Sequence, residues 1–175
     1  KVHESMDFGI KNPAMVFKLL CDKIYKNPLK TLVQEYIANA RDSHREAVKD
    51  NVPIHIYFPN EFSDKLIIKD FGTGLSPRRI KEVFIFLGES TKRDTDGFTG
   101  GFGIGAKIGW AYTDSFTIVS YYNRIKTTYL AYIGESGIGK LDVMSRKSAS
   151  ESNGVEIQIS IKENHWNDVE KYVNR

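Results

Sequence analysis

Residues 35–42 read EYIANARD, and their polar side chains recur at helical spacing. Glu35, Asn39, Asp42 and Glu46 fall within about 60° of one another on a helix, opposite a run of apolar residues. Taken alone, such a stripe is the solvated face of an amphipathic helix. The alternative is a cleft lining, in which a carboxylate takes a proton from water and an amide oxygen binds Mg²⁺.

Two glycine-containing motifs follow this helix. Asp70–Gly74 (DFGTG) stands where a predicted strand ends. Its acid can accept a hydrogen bond from an exocyclic amine, and Gly72 and Gly74 let the backbone approach a flat ligand; an ordinary turn is the alternative. Gly100–Lys107 (GGFGIGAK) precedes a short predicted helix, where backbone N–H groups can converge on a phosphate. A hinge loop is the alternative there.

The polar residues Ser90–Asp94 precede this glycine-rich stretch, and together they predict a mobile lid over residues 88–105. A third glycine-rich segment, residues 134–141 (GESGIGKL), nearly spells a phosphate-binding P-loop. Leu141 occupies the position that needs a hydroxyl for Mg²⁺, and a strand pattern follows where a helix is required. This segment therefore predicts a hairpin turn.

Composition limits the classes of function. The 175 residues are 41% hydrophobic and 27% charged, which predicts one domain with a core, spanning 1–175. The net charge of +3 gives no indication of nucleic-acid binding. The single cysteine, Cys21, excludes an internal disulfide, and the four histidines lack metal-ligand spacing. His44 is expected to pack inside the protein, and no apolar run is long enough to span a membrane.

Periodicity and turn signals predict five helices and six strands. The helices are expected at 13–25, 31–50 with Thr31 as its cap, 77–87 after the cap Ser76, 107–112, and from about Asn167. The strands are expected at 53–58, 65–70, 115–122, 126–133, 141–145 and 155–161. This order indicates an α+β fold, a two-layer sandwich with a mixed sheet and helices on one face.

Each motif is weak alone, but their order and spacing are specific. E-x-x-x-N-A-x-D, then D-x-G-x-G, then G-x-x-G-x-G together resemble the GHKL (Bergerat-fold) ATPases, the superfamily of DNA gyrase, the large heat-shock chaperones, sensor histidine kinases and MutL. The resemblance covers Pro13 to Ile161. It implies that ATP and Mg²⁺ are bound, that ATP is hydrolysed slowly by the isolated domain, and that the domain is a conformational switch.

The resemblance also implies a role for each matching residue. Glu35 would be the catalytic base, Asn39 the Mg²⁺ ligand, and Asp70 the acceptor for the adenine amine. The remaining nucleotide contacts would come from Asp42, Gly72, Gly74, Thr91, Lys92, Gly100, Gly101, Phe102, Gly103, Ile104, Gly105 and Lys107.

One position departs from the superfamily pattern. Val155 stands where relatives often have a threonine near the adenine, and because it has no hydroxyl, the resemblance implies that the adenine contact there is either made through water or lost. A nucleotide sensor that does not hydrolyse ATP, or a protein-interaction module of the same fold, is the alternative function. A sensor-kinase domain ranks lower, because no phospho-acceptor helix precedes the motifs.

A narrower likeness involves residues 86–92, the glycine loop and residues 111–117. These resemble the N-terminal domain of rIIA-type proteins of tailed phages, which implies a role in lysis inhibition and exclusion in the host cytoplasm. It leaves peripheral membrane association of the full protein open. The chain starts at Lys1, and we expect it to be the N-terminal fragment of a longer protein. Dimerisation on ATP and binding of a protein partner are further expectations from the resemblance.

Overall fold

The computed structural model describes residues 11–23, 26–85 and 105–174. Within these ranges five α-helices and six strands follow one another, with short 3₁₀ turns at Gly105–Ile108 and Glu163–His165. The helices are α1 (Pro13–Lys23), α2 (Pro28–Glu46), α3 (Pro77–Phe84), α4 (Gly109–Tyr112) and α5 (Trp166–Val173). The strands are β1 (His55–Tyr57), β2 (Lys65–Lys69), β3 (Ser115–Tyr122), β4 (Ile125–Ile133), β5 (Gly139–Ser148) and β6 (Gly154–Ser160).

The strands form one sheet in the order β1-β2-β6-β3-β4-β5. The expected α+β class is confirmed, but the expectation of a mixed sheet is wrong, since every pairing between these strands is antiparallel. The reason is the position of β6. The last strand enters between β2 and β3, and it runs opposite to both of them.

The helices pack on one face of this sheet. Leu32, Val33 and Tyr36 of α2 are buried against the alternate strand residues that point to the same side, among them Ile68 and Ile157. Trp110 of α4 extends this core and packs edge-on against the rings of Phe17 and Phe116. None of the helices in the described ranges combines the length and the apolar character that crossing a bilayer requires.

The start of α2 differs from the expectation. Thr31 is not the cap; Asn27 is, and its side-chain oxygen accepts from the Lys30 amide at 3.0 Å. Pro28 in the first turn suits this start, because proline has no amide hydrogen to leave unpaired. The helix ends at Glu46, and Val48 beyond it has a φ of +55°.

Other boundaries agree closely with the pattern. Ser76 caps α3 by accepting from the Arg79 amide at 3.2 Å. The P-loop-like segment is a hairpin turn between β4 and β5, closed by a 2.9 Å bond from the Gly134 amide to the Ile138 carbonyl. The lid expected at 88–105 lies outside the described residues, except for Gly105.

Candidate functional site

The polar stripe of α2 borders the site from one side. Because the opposite side of α2 is buried in the core, Glu35, Asn39 and Asp42 are turned away from it, and all three are only partly exposed. Asp42 forms an ion pair with Arg45 at 3.4 Å, one turn along the helix. The stripe is therefore not a fully solvated helix face.

Asp70 lies directly after β2 and is 6% exposed. Its Oδ1 atom accepts two hydrogen bonds, from the Gly72 amide at 2.9 Å and from the Ser43 hydroxyl of α2 at 3.1 Å. Its own amide donates to the Val155 carbonyl of β6 at 2.8 Å. Both of these hydrogen bonds converge on Oδ1, so Oδ2 is the oxygen that is left for a donor from a ligand.

Burial raises the pKa of Asp70 above its ordinary value. The hydrogen bonds from Gly72 and Ser43 and the Val155 backbone oppose this increase. A buried carboxylate that keeps an acceptor oxygen available can recognise an amine by a strong, charge-assisted hydrogen bond. This is the chemistry that recognition of an amino-substituted base requires.

Three glycines let backbone segments close around Asp70. A Cβ atom on Gly72 would overlap Ser43, and one on Gly154 would overlap the Asp70 carbonyl oxygen. Gly74 has a φ of +68°, a conformation that side chains other than glycine rarely adopt, and it borders the Tyr121 carbonyl. The glycines of the DFGTG motif therefore set the close approach of the loop to α2 and to the sheet.

The other end of the stripe meets the 3₁₀ turn that starts at Gly105. A Cβ atom on Gly105 would overlap the Glu35 carboxylate, so this glycine lies directly against it. The Tyr36 hydroxyl fixes the turn by donating to the Ala106 carbonyl at 2.9 Å and accepting from the Gly109 amide at 3.1 Å. The acid of α2 and the end of the glycine-rich motif are thus brought together.

A family model described as "Histidine kinase-, DNA gyrase B-, and HSP90-like ATPase" matches residues 26–160. That range holds α2, the Asp70 loop and the Gly105 turn, and it is well over half of the chain. The chain belongs to this GHKL ATPase family. No curated protein matches the chain.

Membership of the GHKL family implies ATP binding, usually with Mg²⁺. In the described part of the chain, no group of three or more His, Cys, Asp or Glu side chains is arranged to hold a metal ion. The Asn39 side chain is partly buried and makes no hydrogen bond with the described residues. Its amide oxygen is a hard donor that fits one position of a Mg²⁺ ion whose other ligands are waters and phosphates.

Lys107 occupies a different environment from the rest of the predicted site. It is 5% exposed, and its ammonium group donates to the Val83 carbonyl at 2.7 Å, near the end of α3. Its role as a phosphate contact stays a prediction. The other predicted phosphate contacts lie outside the described residues; they are Thr91, Lys92, Gly100, Gly101, Phe102, Gly103 and Ile104.

Two residues of the site had no role in the sequence prediction. Ser43 bonds to Asp70 and also accepts from the Thr73 amide at 3.1 Å. The sequence predicts only that His44 packs inside the protein; His44 is buried, and its ring also accepts from the Phe71 amide. The only signal in the sequence was their position directly after Asp42, at the edge of the polar stripe.

Proposed function

We propose that this chain is a Mg²⁺-dependent ATP-binding and ATP-hydrolysing domain that acts as a conformational switch. The observation that carries the proposal is the joint position of two acids. The helix that presents Glu35 beside Gly105 also holds the buried Asp70 through Ser43. Family membership supports ATP as the ligand of this arrangement.

Asp70 would recognise the base. Its Oδ2 accepts a hydrogen bond from the adenine amine, while Oδ1 stays fixed by Ser43 and Gly72. Gly72 and Gly74 keep side chains out of the space beside the base. Adenine is thereby distinguished from bases that carry a carbonyl at the same position, because a carbonyl cannot donate to a carboxylate.

Glu35 would act at the phosphate end. A carboxylate that is positioned next to the attacking water can orient it and accept its proton. Asn39, one turn further along α2, would hold Mg²⁺, which when bound neutralises charge on the phosphates. Asp42 would support the nucleotide from the next turn. Catalysis by these residues consists of positioning and charge stabilisation.

The first test is titration calorimetry with a non-hydrolysable ATP analogue, with and without Mg²⁺. We expect binding that requires the metal. Absence of binding at millimolar nucleotide would contradict the proposal.

A variant then tests the assigned base. We expect Glu35→Ala to keep ATP binding and to lower turnover by at least about 100-fold, the contribution typical of general base catalysis. Glu46→Ala is the matched control, since it removes an exposed acid from the same helix stripe. Wild-type turnover in the Glu35 variant would remove this residue from catalysis.

An interaction module of the same fold, or a sensor that does not hydrolyse ATP, is the second candidate. The observation that favours it is Val155, which meets Asp70 through its backbone carbonyl and has no hydroxyl to offer to a base. Nucleotide binding without any turnover would support the sensor, and no nucleotide binding would support the module. The narrower role in phage lysis inhibition stays a prediction from sequence likeness.

A further inference from the structure

His44 is a buried residue of α2, and both nitrogens of its ring contact backbone groups outside this helix. It is 3% exposed; Nδ1 lies 3.0 Å from the Val52 carbonyl oxygen and Nε2 lies 2.7 Å from the Phe71 amide nitrogen. A backbone amide can only donate, so Nε2 accepts and Nδ1 carries the hydrogen that Val52 receives. The neutral ring with its hydrogen on Nδ1 satisfies both partners.

The Phe71 amide belongs to the peptide unit that follows Asp70. The Asp70 amide is already fixed by Val155 at 2.8 Å, so the bond from Phe71 to His44 fixes the main chain on the other side of the same residue. Lys49 then donates to the Phe71 carbonyl at 2.8 Å. The backbone around Asp70 is therefore held at successive peptide units, and α2 supplies the link at Phe71 through His44 as well as the link at Thr73 through Ser43.

We propose that His44 is a positioning residue that sets base discrimination, because it holds the Asp70 main chain where the carboxylate can accept from an exocyclic amine. This inference rests on the proposed function. His44 acts through the Phe71 amide and touches no nucleotide itself. Its neighbour Ser43 orients the carboxylate directly, so two consecutive residues of α2 control the side chain and the backbone of Asp70.

Two variants separate the two bonds of the ring. His44→Asn places a polar group near the position of Nδ1, so it keeps a donor for Val52 and loses the acceptor for Phe71. His44→Gln extends to the position of Nε2 and keeps that acceptor. His55→Asn is the matched control, because the His55 ring packs edge-on against the Phe71 ring at 4.8 Å, whereas the Phe71 amide donates to His44.

The measurement is titration calorimetry with ADP and IDP, which differ in whether the base carries an amine or a carbonyl. We expect the wild type to prefer ADP by about 10- to 100-fold, the range for a hydrogen bond to a charged group. His44→Asn should lose most of this preference, mainly through weaker ADP binding, whereas His44→Gln and His55→Asn should keep it. A merely structural role would weaken both nucleotides equally.

The outcomes separate this inference from the proposed function. If the wild type binds neither nucleotide, or does not prefer ADP, the contact between Asp70 and the base is contradicted. The proposed function and the inference on His44 then both lose their support. A wild type that prefers ADP while His44→Asn keeps the same ratio overturns only the role of His44. Loss of the preference in His44→Gln to the same extent as in His44→Asn also overturns it.

A further test uses the wild-type protein alone, so its result does not depend on whether a variant folds. Nitrogen-15 NMR of the histidine ring should show a hydrogen on Nδ1 of His44 and an Nε2 that accepts a hydrogen bond, and the Phe71 amide should exchange slowly with solvent. A hydrogen on Nε2, or rapid exchange of the Phe71 amide, would show that the link is not formed and would overturn the inference.

Discussion

Asp70 is a carboxylate that the protein buries against its own electrostatic preference. Its raised pKa means that the folded state disfavours the charged form, so ionisation of Asp70 lowers the stability of the fold. The stability that the fold has while Asp70 is protonated is fully present below the pKa of the unfolded state, and it is lost as the pH rises through the higher pKa of the folded state. A residue kept at such a cost is a sign of a functional site.

The variant Asp70→Asn tests whether the buried charge of Asp70 lowers the stability of the fold. Asn can still accept from Gly72 and Ser43 through one oxygen, and it carries no charge to bury. We expect this variant to unfold at the wild-type temperature or above it at pH 7, and to lose this advantage at a pH below the unfolded carboxyl pKa. Calorimetric scans at several pH values measure the difference. A marked loss of stability at pH 7 would show that the charge itself is required for folding.

At the residue scale the sequence predicts candidate site residues, but it does not predict the residues that hold them in place. Glu35, Asn39 and Asp70 stand in recurrent spacings, which can be read without a structure. Ser43 and His44 act on a loop that is distant in sequence, and their contacts exist only after α2 has packed beside that loop. No local pattern encodes such a contact, so neither residue could be assigned a role in advance.

Gly72 sets how closely the Asp70 loop approaches α2. Its φ is not in the left-handed region, so its need for glycine comes from space alone, since a Cβ atom would overlap Ser43. We expect Gly72→Ala to lower the free energy of unfolding by about 2–3 kcal/mol, as overpacking does in a tight contact, and to weaken nucleotide binding. Urea denaturation and titration calorimetry measure the two effects.

Gly137 provides the matched control for this substitution. It has a φ of +75°, and a Cβ atom there would have only Ala14 nearby, at 3.7 Å. Gly137→Ala should cost about 1 kcal/mol through backbone strain and should leave nucleotide binding unchanged. Equal effects of the two substitutions on stability and binding would contradict the close loop contact.

At the scale of the secondary-structure elements, two sequence signals compete for the start of α2. Both Asn27 and Thr31 can cap a helix, and the pattern favoured Thr31 because Gln34 follows at capping-box spacing. Asn27 prevails because Pro28 is suited to the first turn, and because the side-chain nitrogen Nδ2 of Asn27 also donates to the Tyr172 hydroxyl of α5 at 3.0 Å. The second reason is a tertiary contact, which sequence periodicity does not contain. Strand directions were missed for a similar reason, since pairing partners lie far apart in the chain.

At the scale of the whole molecule, the labelling rate of the single cysteine can be used to follow unfolding. Cys21 is partly buried on α1, and burial, with a smaller effect of Asp22, raises its pKa to about 11. At pH 8 roughly one thiol in a thousand is then ionised, against about a quarter for an ordinary cysteine. We expect labelling by an aromatic disulfide to be at least about 100-fold slower in the native protein than in denaturant.

The labelling rate as a function of urea concentration checks this expectation. It should rise together with the loss of secondary structure if α1 stays packed until the domain unfolds. A native rate equal to the denatured rate would show that α1 is detached from the Phe17–Trp110 contact under ordinary conditions.

The central place of β6 has a consequence for how the protein is made. A ribosome releases α2 and Asp70 first, whereas Gly154 and Val155, which complete the surroundings of Asp70, emerge only after β3, β4 and β5. Until then β2 and β3 lack the strand that joins them, and their apolar residues stay accessible to other chains. Pairing across such a long separation is slow. Until β6 is made, the nascent domain is therefore in a form that can aggregate and in which the surroundings of Asp70 are incomplete.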